Sequence, residues 1–408
     1  MTEIIHNSDW FQAKGLRNIV DALSKENDGL RIVGGAVRDS LLGLSVSDVD
    51  LATKLLPKEV MGCLERAGIK SVPTGIEHGT VTAVSDGKNY EITTLRRDVA
   101  TDGRRAVVAF STDWKEDAAR RDFTINALYA DAYTGEIFDY FSGQHDLNLG
   151  IVRFIGDAEQ RIAEDYLRIL RYFRFLARFG RGSADQEALA ACAKGAHGLT
   201  ALSRERIAQE LTRLITLPNP VFSVQLMVDH QIFAPFLPEL DKAAVERLPS
   251  ILDREVQHKL AVSLPARLLT LLPRDQVIVD RVSARLKLSN RLREQLTNRV
   301  SGDLPTENNI RELAYRKGTS CAIDTAALYT NSNVFALCLE RLLNWDVPVF
   351  GIKGGDVIAM GVPAGPMVAK TLHLLEQTWI NDDFPATDDL LTKLHQIVVE
   401  LLSATKKA

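Results

Sequence analysis

The segment Leu30–Thr53, LRIVGGAVRDSLLGLSVSDVDLAT, constrains this chain more than any other. Leu30 to Val33 are rich in branched apolar side chains and predict a buried strand. Gly34 and Gly35 end that strand, Ala36 to Leu42 predict a short helix, and Gly43 stops it. Glycines between a strand and a helix N-terminus let the backbone come close to an anion, and the exposed N–H groups and helix dipole attract phosphate. Arg38, one turn into the helix, can add a charged fork to the same phosphates. A second strand is expected over Val46 to Ala52. On it Asp48 and Asp50 share one side, while Val49 and Leu51 face the core. Two carboxylates opposite a phosphate cradle suit Mg2+, a hard ion usually held by one or two carboxylates plus substrate phosphates. Either half alone has a plain explanation, the Gly-Gly pair as a turn and D-x-D as a solvated strand end. Their occurrence together and in this order is specific.

The chain has 408 residues, enough for two or more domains with a substantial core. Its net charge is −4, so contact with nucleic acid has to use a local basic surface. Between Gln160 and Pro220 there are ten Lys and Arg against six Asp and Glu. That locally basic stretch suits an RNA end, although a basic helical surface can also simply solubilise. Cys63, Cys192, Cys321 and Cys338 are scattered, with no C-x-x-C pair and no adjacent His cluster. Zinc is therefore not expected, and reduced buried thiols in a cytoplasmic protein are. The N-terminus lacks a signal-peptide pattern, and no run of about 18 apolar residues predicts a membrane span.

In chain order, Asp9 to Ser24 predicts a helix with Trp10, Leu16, Ile19, Val20 and Leu23 on one side. Pro57 to Ala67 predicts another, closed by Gly68. IKSVPTG and HGTVTAVSDGKNYEITTLR alternate as strands joined by a turn at Asp86-Gly87, giving a small mixed domain of about five strands. Glu91 lies on the last of these. It is a candidate third carboxylate for activating a hydroxyl, or equally a charged residue on an exposed edge strand. Arg97 to Val107 has no apolar period and is expected to be a mobile loop. Arg120, Arg121 and Asp122 then precede FTINALYA, an amphipathic segment in which Asn126 is oddly polar. Paired arginines entering an ordered element can hold a triphosphate; a solvated charge run is the bland alternative.

From Asp157 the chain is expected to be helical. In AEQRIAEDYLRILRYFRFLARFG, Ile162, Tyr166, Ile169, Phe173 and Leu176 fall on one stripe. Asp165 and Arg168 fall opposite, three residues apart. Periodicity alone fits an ion pair on a solvated face. The alternative is that an Asp acceptor and an Arg donor fork bind the Watson–Crick edge of a base. Cytosine and adenine both present an amino donor beside a ring-nitrogen acceptor, so one such pair can take both and reject uracil and guanine. Arg171 and Arg174 continue the basic run and can reach phosphates or stack near the base. Beyond Pro220 the sequence is helical with little chemistry. Near its end Gly361, Gly365 and Pro366 open a long amphipathic helix, suited either to a backbone phosphate or to plain packing.

GGAVRDSLLG followed by SDVDLAT resembles the signature of the class II tRNA nucleotidyltransferases, the CCA-adding enzymes and their bacterial poly(A) polymerase relatives. TDGRR, FSTDW, ARRDFTINAL and EDYLRILRYFRF follow in that family's order, and LSRERIAQEL resembles its closing neck motif. IFDYFSGQHDL departs from it, because Gly143 is followed by Gln144 where the family often pairs two glycines. The resemblance implies an α+β fold: a small mixed-sheet nucleotidyltransferase head over 1–156, then an all-α neck over 157–220 and an all-α body and tail over 221–408. It implies addition of CMP, CMP and AMP from CTP and ATP to the 3′ end of tRNA, with release of pyrophosphate. Asp48 and Asp50 would hold Mg2+. Gly34, Gly35, Arg38 and Arg121 would hold the triphosphate, and Asp165 and Arg168 would be the amino-acid template for the base. GIEHGTVTAV, where poly(A) polymerases carry a basic-aromatic stretch, favours the CCA branch, and TDGRR favours competence in the A step. A poly(A) polymerase, a partial CC- or A-adding enzyme and a catalytically silent RNA-binding protein remain as alternatives.

Overall fold

The structure is a computed structural model that describes residues 5–23, 29–102, 105–240, 243–386, 390–393 and 395–399. The chain divides into two compact units, residues 1–252 with 282–288, and residues 253–281 with 289–408.

The first unit begins with helix Lys14–Leu23, which buries Leu16, Ile19, Val20 and Leu23 at helical spacing. The expected start at Asp9 is replaced by turns up to Ala13, and Ser24 lies outside the described residues. A seven-stranded sheet follows in the order β3-β4-β5-β2-β1-β8-β9. Its strands are β1 Leu30–Val33, β2 Asp50–Thr53, β3 Lys70–Gly75, β4 Thr80–Ser85, β5 Lys88–Thr94, β8 Leu128–Asp131 and β9 Ile137–Asp139. A separate ribbon pairs β6 Arg96–Asp102 with β7 Arg105–Phe110. All pairings in the sheet are antiparallel except β2 with β5. One face carries Ile32, Leu51, Ile92 and Val81, each at most 1% exposed, under helices Lys14–Leu23 and Pro57–Arg66. On the other face Val33, Ala52 and Tyr129 pack with Leu95, Trp114 and Ala118.

Four expectations are corrected here. The sheet has seven strands rather than about five, because only Leu128–Asp131 of the amphipathic segment is strand, while Thr124–Asn126 form a 3-10 turn. Two periods inside eight residues hide both. Arg97 to Asp102 and Arg105 to Val107 belong to the paired strands β6 and β7 rather than to a loop. A two-stranded ribbon is held by backbone hydrogen bonds and leaves no apolar period in the sequence. Gly103 and Arg104 of TDGRR lie outside the described residues. β2 starts at Asp50, not Val46, since Val33 at the end of β1 pairs with Asp50 and Gly34 then turns away. Finally, β5 lies between β4 and β2, so Glu91 is on an interior strand and not on an edge.

The helical part of this unit opens with helices Ala158–Glu164 and Leu167–Phe179. They were expected as one. Asp165 is extended (φ −156°, ψ 105°) and its Oδ1 accepts from the Leu167 N–H at 3.1 Å, a side-chain bond that competes with helix continuation. Ile162, Ile169, Phe173 and Leu176 are buried as the stripe requires. Phe123 and Phe154, paired by an isolated bridge, stack with Tyr172 and Phe175 and so fasten the head to this helix. Helix Arg204–Ile215 packs alongside.

The second unit is helical. Val357, Val362, Leu375, Trp379 and Ile380 form one of its clusters, and buried ion pairs join Arg267 to Glu255 and Arg299 to Asp324. Helix Pro366–Asn381 opens on Gly365 at φ 132°, a conformation that favours glycine. Among the described residues, no helix is long and apolar enough to cross a membrane.

Candidate active site

Gly34 has φ 70° and ψ −116°, which an L side chain would strain to adopt, and its N–H donates to the Leu128 carbonyl at 2.9 Å. Gly35 begins helix Gly35–Leu41. The Arg121 Nη1 lies 3.6 Å from where a Gly34 Cβ would stand, so the cradle and this guanidinium are neighbours. Arg121 Nε donates to the Tyr129 hydroxyl at 3.1 Å and Nη2 to Asp117 at 3.4 Å. The Tyr129 hydroxyl donates to the same Asp117 at 2.7 Å. Burial alone would raise the Asp117 carboxyl, but Arg121, Arg120 and Tyr129 outweigh it and hold the group below its ordinary value. Arg121 is therefore a framed cation, with 22% of its side chain still accessible.

The sheet register sets Glu91, Asp50, Val33 and Tyr129 side by side on four adjacent strands. Laterally paired residues project to one face. Asp50 and Glu91 are exposed there, while Val33 and Tyr129 close the floor. Desolvation by the surrounding protein, then Glu91 and Asp48, push the Asp50 carboxyl up, and Arg121 opposes them. Asp48 precedes the strand, is exposed, and accepts from the Ser47 hydroxyl at 3.0 Å. Asp48, Asp50, Glu91 and Arg121 are thus electrostatically one group.

Arg38 is framed within the fold. Its side chain is 7% accessible and turned inward, bonded to Asp39 and to the Asn126 side-chain oxygen, with Phe179 4.4 Å beneath the guanidinium. Its Nη2 lies 3.8 Å from where a Gly35 Cβ would stand, so it also borders the glycine cradle. Asn126 in turn donates to Asp122 at 3.0 Å, and Asp122 accepts from Arg171 Nε at 2.7 Å. A buried polar chain therefore runs from the glycine-opened helix to helix Leu167–Phe179. This explains the polar Asn126 inside an apolar segment.

Asp165 and Arg168 do not form the expected ion pair with each other. Asp165 Oδ2 accepts from Arg206 Nη2 at 2.7 Å, while Arg168 Nη1 donates to Glu164 and to the Arg161 carbonyl. The helix break at Asp165 separates the partners that unbroken periodicity would have joined. Arg171 and Arg174 are committed as well, to Asp122 and, at 2.6 Å, to Glu210. Asp117, Tyr129, Glu164, Arg206 and Glu210 went unnoticed in the sequence. The alternation R-E-R at Arg204 to Arg206 was the one visible signal.

A family model described as "Poly A polymerase head domain" matches residues 30–153, and one described as "Probable RNA and SrmB- binding site of polymerase A" matches residues 184–244. The Mus musculus protein named CCA tRNA nucleotidyltransferase 1, mitochondrial is 35% identical, across 97% of this chain and 90% of that one. The chain belongs to the CCA-adding enzyme family. A CCA-adding enzyme of Staphylococcus haemolyticus is 29% identical, across 92% of this chain and 95% of its own. Among solved structures, the Bacillus stearothermophilus CCA-adding enzyme in complex with CTP superposes with a TM-score of 0.74 at 26% identity, covering 98% of this chain and all of that one.

Nucleotidyltransferases of this family use a divalent metal. Among the described residues no three His, Cys, Asp or Glu side chains gather into a metal cage. Two exposed, mutually repelling carboxylates next to an anion cradle fit an ion that completes its shell with water and substrate oxygens. The four cysteines are buried and form no disulfide.

Proposed function

We propose that this protein adds CMP, CMP and AMP, taken from CTP and ATP, to the 3′ end of tRNA and releases pyrophosphate. The observation that carries the reading is the side-by-side register of Asp50 and Glu91, next to Gly34 and Arg121, in a chain whose full length resembles CCA-adding enzymes. On this reading residues 1–156 are the catalytic head, 157–220 the base-selecting neck, and 221–408 the tRNA-binding body and tail. Buried cysteines without disulfides accord with a reducing compartment such as the cytoplasm.

The backbone N–H groups at Gly34 and Gly35, with Arg121, hold the triphosphate. Asp48 and Asp50 hold Mg2+, which when bound supplies Lewis acidity at the attacking hydroxyl and neutralises charge on the leaving pyrophosphate. The tRNA 3′ oxygen forms a bond to the α-phosphorus as the bond from that phosphorus to the β-bridging oxygen breaks. The hydroxyl proton passes to solvent, assisted by the negative field of Glu91. Asp165 accepts from the amino group of cytosine or adenine, and Arg168 donates to the ring nitrogen beside it. Positioning and charge stabilisation do most of the work in such transfers.

The test is incubation with Mg2+ and tRNA lacking its 3′ CCA, with labelled nucleotides supplied one at a time and in combination. Incorporation of two C and then one A is expected. Long A tails on unrelated RNA would make it a poly(A) polymerase. C alone or A alone would make it a partial enzyme, and no incorporation would leave a silent RNA binder.

A further inference from the structure

The two residues assigned to base reading each have an oppositely charged neighbour of their own. Asp165 Oδ2 accepts from Arg206 at 2.7 Å and Oδ1 from the Leu167 N–H at 3.1 Å. A carboxylate offers about four lone-pair sites, so roughly two stay open, and 29% of the side chain is accessible. Arg168 spends Nη1 on Glu164 and the Arg161 carbonyl, and its Nε and Nη2 hydrogens take no partner among the described residues. Each reader is thus fixed on one side and open on the other.

Stability does not account for Arg206. A cation in the first turn of helix Arg204–Ile215 opposes the helix dipole. A half-exposed ion pair returns on the order of 0–1 kcal/mol. What the pair does supply is direction: it fixes the Asp165 rotamer. Glu164 does the same for the Arg168 fork.

We propose that Arg206 and Glu164 are positioning residues for nucleobase selection, aiming the Asp165 acceptor and the Arg168 donors at the base edge. This rests on the base-reading role given above to Asp165 and Arg168. Without Arg206 the Asp165 carboxylate samples other rotamers, and an amino-bearing base loses its advantage over one presenting a carbonyl.

Arg206→Gln, Arg206→Lys, Glu164→Gln and, for scale, Asp165→Ala are compared with the unaltered full chain. For each, kcat and KM are measured for CTP, UTP, ATP and GTP on tRNA ending where C or A is due. Inhibition by inorganic triphosphate and the thermal midpoint are measured alongside. Arg206→Gln and Glu164→Gln are expected to lower the preference for C over U, and for A over G, by about ten- to hundredfold, the size of one charge-assisted hydrogen bond. Triphosphate inhibition and thermal midpoint are expected to hold. Arg206→Lys, which keeps the charge without the fork, is expected to restore part of the preference. Unchanged preferences in both Gln variants, with Asp165→Ala relaxed, would overturn the proposal and leave the base-reading assignment standing. Unchanged preference in Asp165→Ala would remove both. A midpoint that falls in step with every preference would reduce Arg206 to a structural part.

Discussion

Arg178 Nη2 donates to Asp39 Oδ2 at 3.0 Å, tying the far end of helix Leu167–Phe179 to the helix that opens on Gly35. The other Asp39 oxygen accepts from Arg38 Nε at 2.8 Å. One carboxylate therefore holds two guanidiniums of unequal exposure, 7% for Arg38 and 37% for Arg178. Asp39→Ala leaves a buried cation short of its anion and is expected to cost about 3–5 kcal/mol. Arg178→Ala removes the solvated partner and is expected to cost at most about 1 kcal/mol. Urea unfolding midpoints measure both, and equal losses would show that Asp39 is not the anchor of Arg38.

Asp50 is expected to trade stability for chemistry. Its carboxylate is crowded by Glu91 and Asp48 and only partly relieved by Arg121. Asp50→Asn should abolish addition of both C and A while raising the unfolding midpoint at neutral pH, because a repelled charge is gone. Asp48→Ala should abolish both additions too. Full turnover in either variant would refute the metal-holding role.

Asp122 gives a pH signature. Burial would raise its carboxyl, but Arg171 and Asn126 outweigh burial and hold it below the ordinary 3.8. A depressed folded-state value means that its stabilisation is full above the unfolded value and is lost as pH falls through the folded one. Asp122→Asn should therefore cost about 2–3 kcal/mol at neutral pH. The gap should persist down to about pH 4 and close below it. Denaturant titrations across that range decide it; a gap that closes between pH 7 and 5 would assign the effect to another group.

Gly143 resolves the departure at Gln144. A Cβ on Gly143 would stand 2.2 Å from the Thr124 carbonyl oxygen, and Ser142 before it has φ 59°. Asp139 accepts from the N–H groups of both Gly143 and Gln144 at 2.9 Å, so the turn is capped without a second glycine. Gly143→Ala should cost about 3 kcal/mol through a backbone clash. Gln144→Gly should cost only about 0.5–1 kcal/mol of added chain freedom. Thermal midpoints compare the two, and a larger loss at position 144 would reverse the assignment.

The strand, glycines and helix from Leu30 to Leu41 were legible because local chemistry alone dictates them. The hairpin turn at Asp86-Gly87 was legible too, both residues taking positive φ as a tight turn needs. β8, β9 and the ribbon were not, since their pairing depends on distant partners. The same holds for the site. Gly34, Asp50 and Asp165 stand out by type and spacing, whereas the partners of Arg38, Arg171, Arg174 and Asp165 come from segments 36 to 88 positions away. A basic run in sequence looks unpartnered; in the fold each of Arg168, Arg171 and Arg174 has a carboxylate neighbour.

β1 lies between β2 and β8, and β2 between β1 and β5 in the one parallel pairing of the sheet. A ribosome therefore delivers Asp48 and Asp50 long before Glu91, Arg121 and Tyr129 exist to complete the cleft. Such non-local pairing is slow to form. A chain ending before Tyr129 would lack the strand that pairs with β1 and the ring that helps close the floor of the cleft, so strand order sets when the site can first assemble.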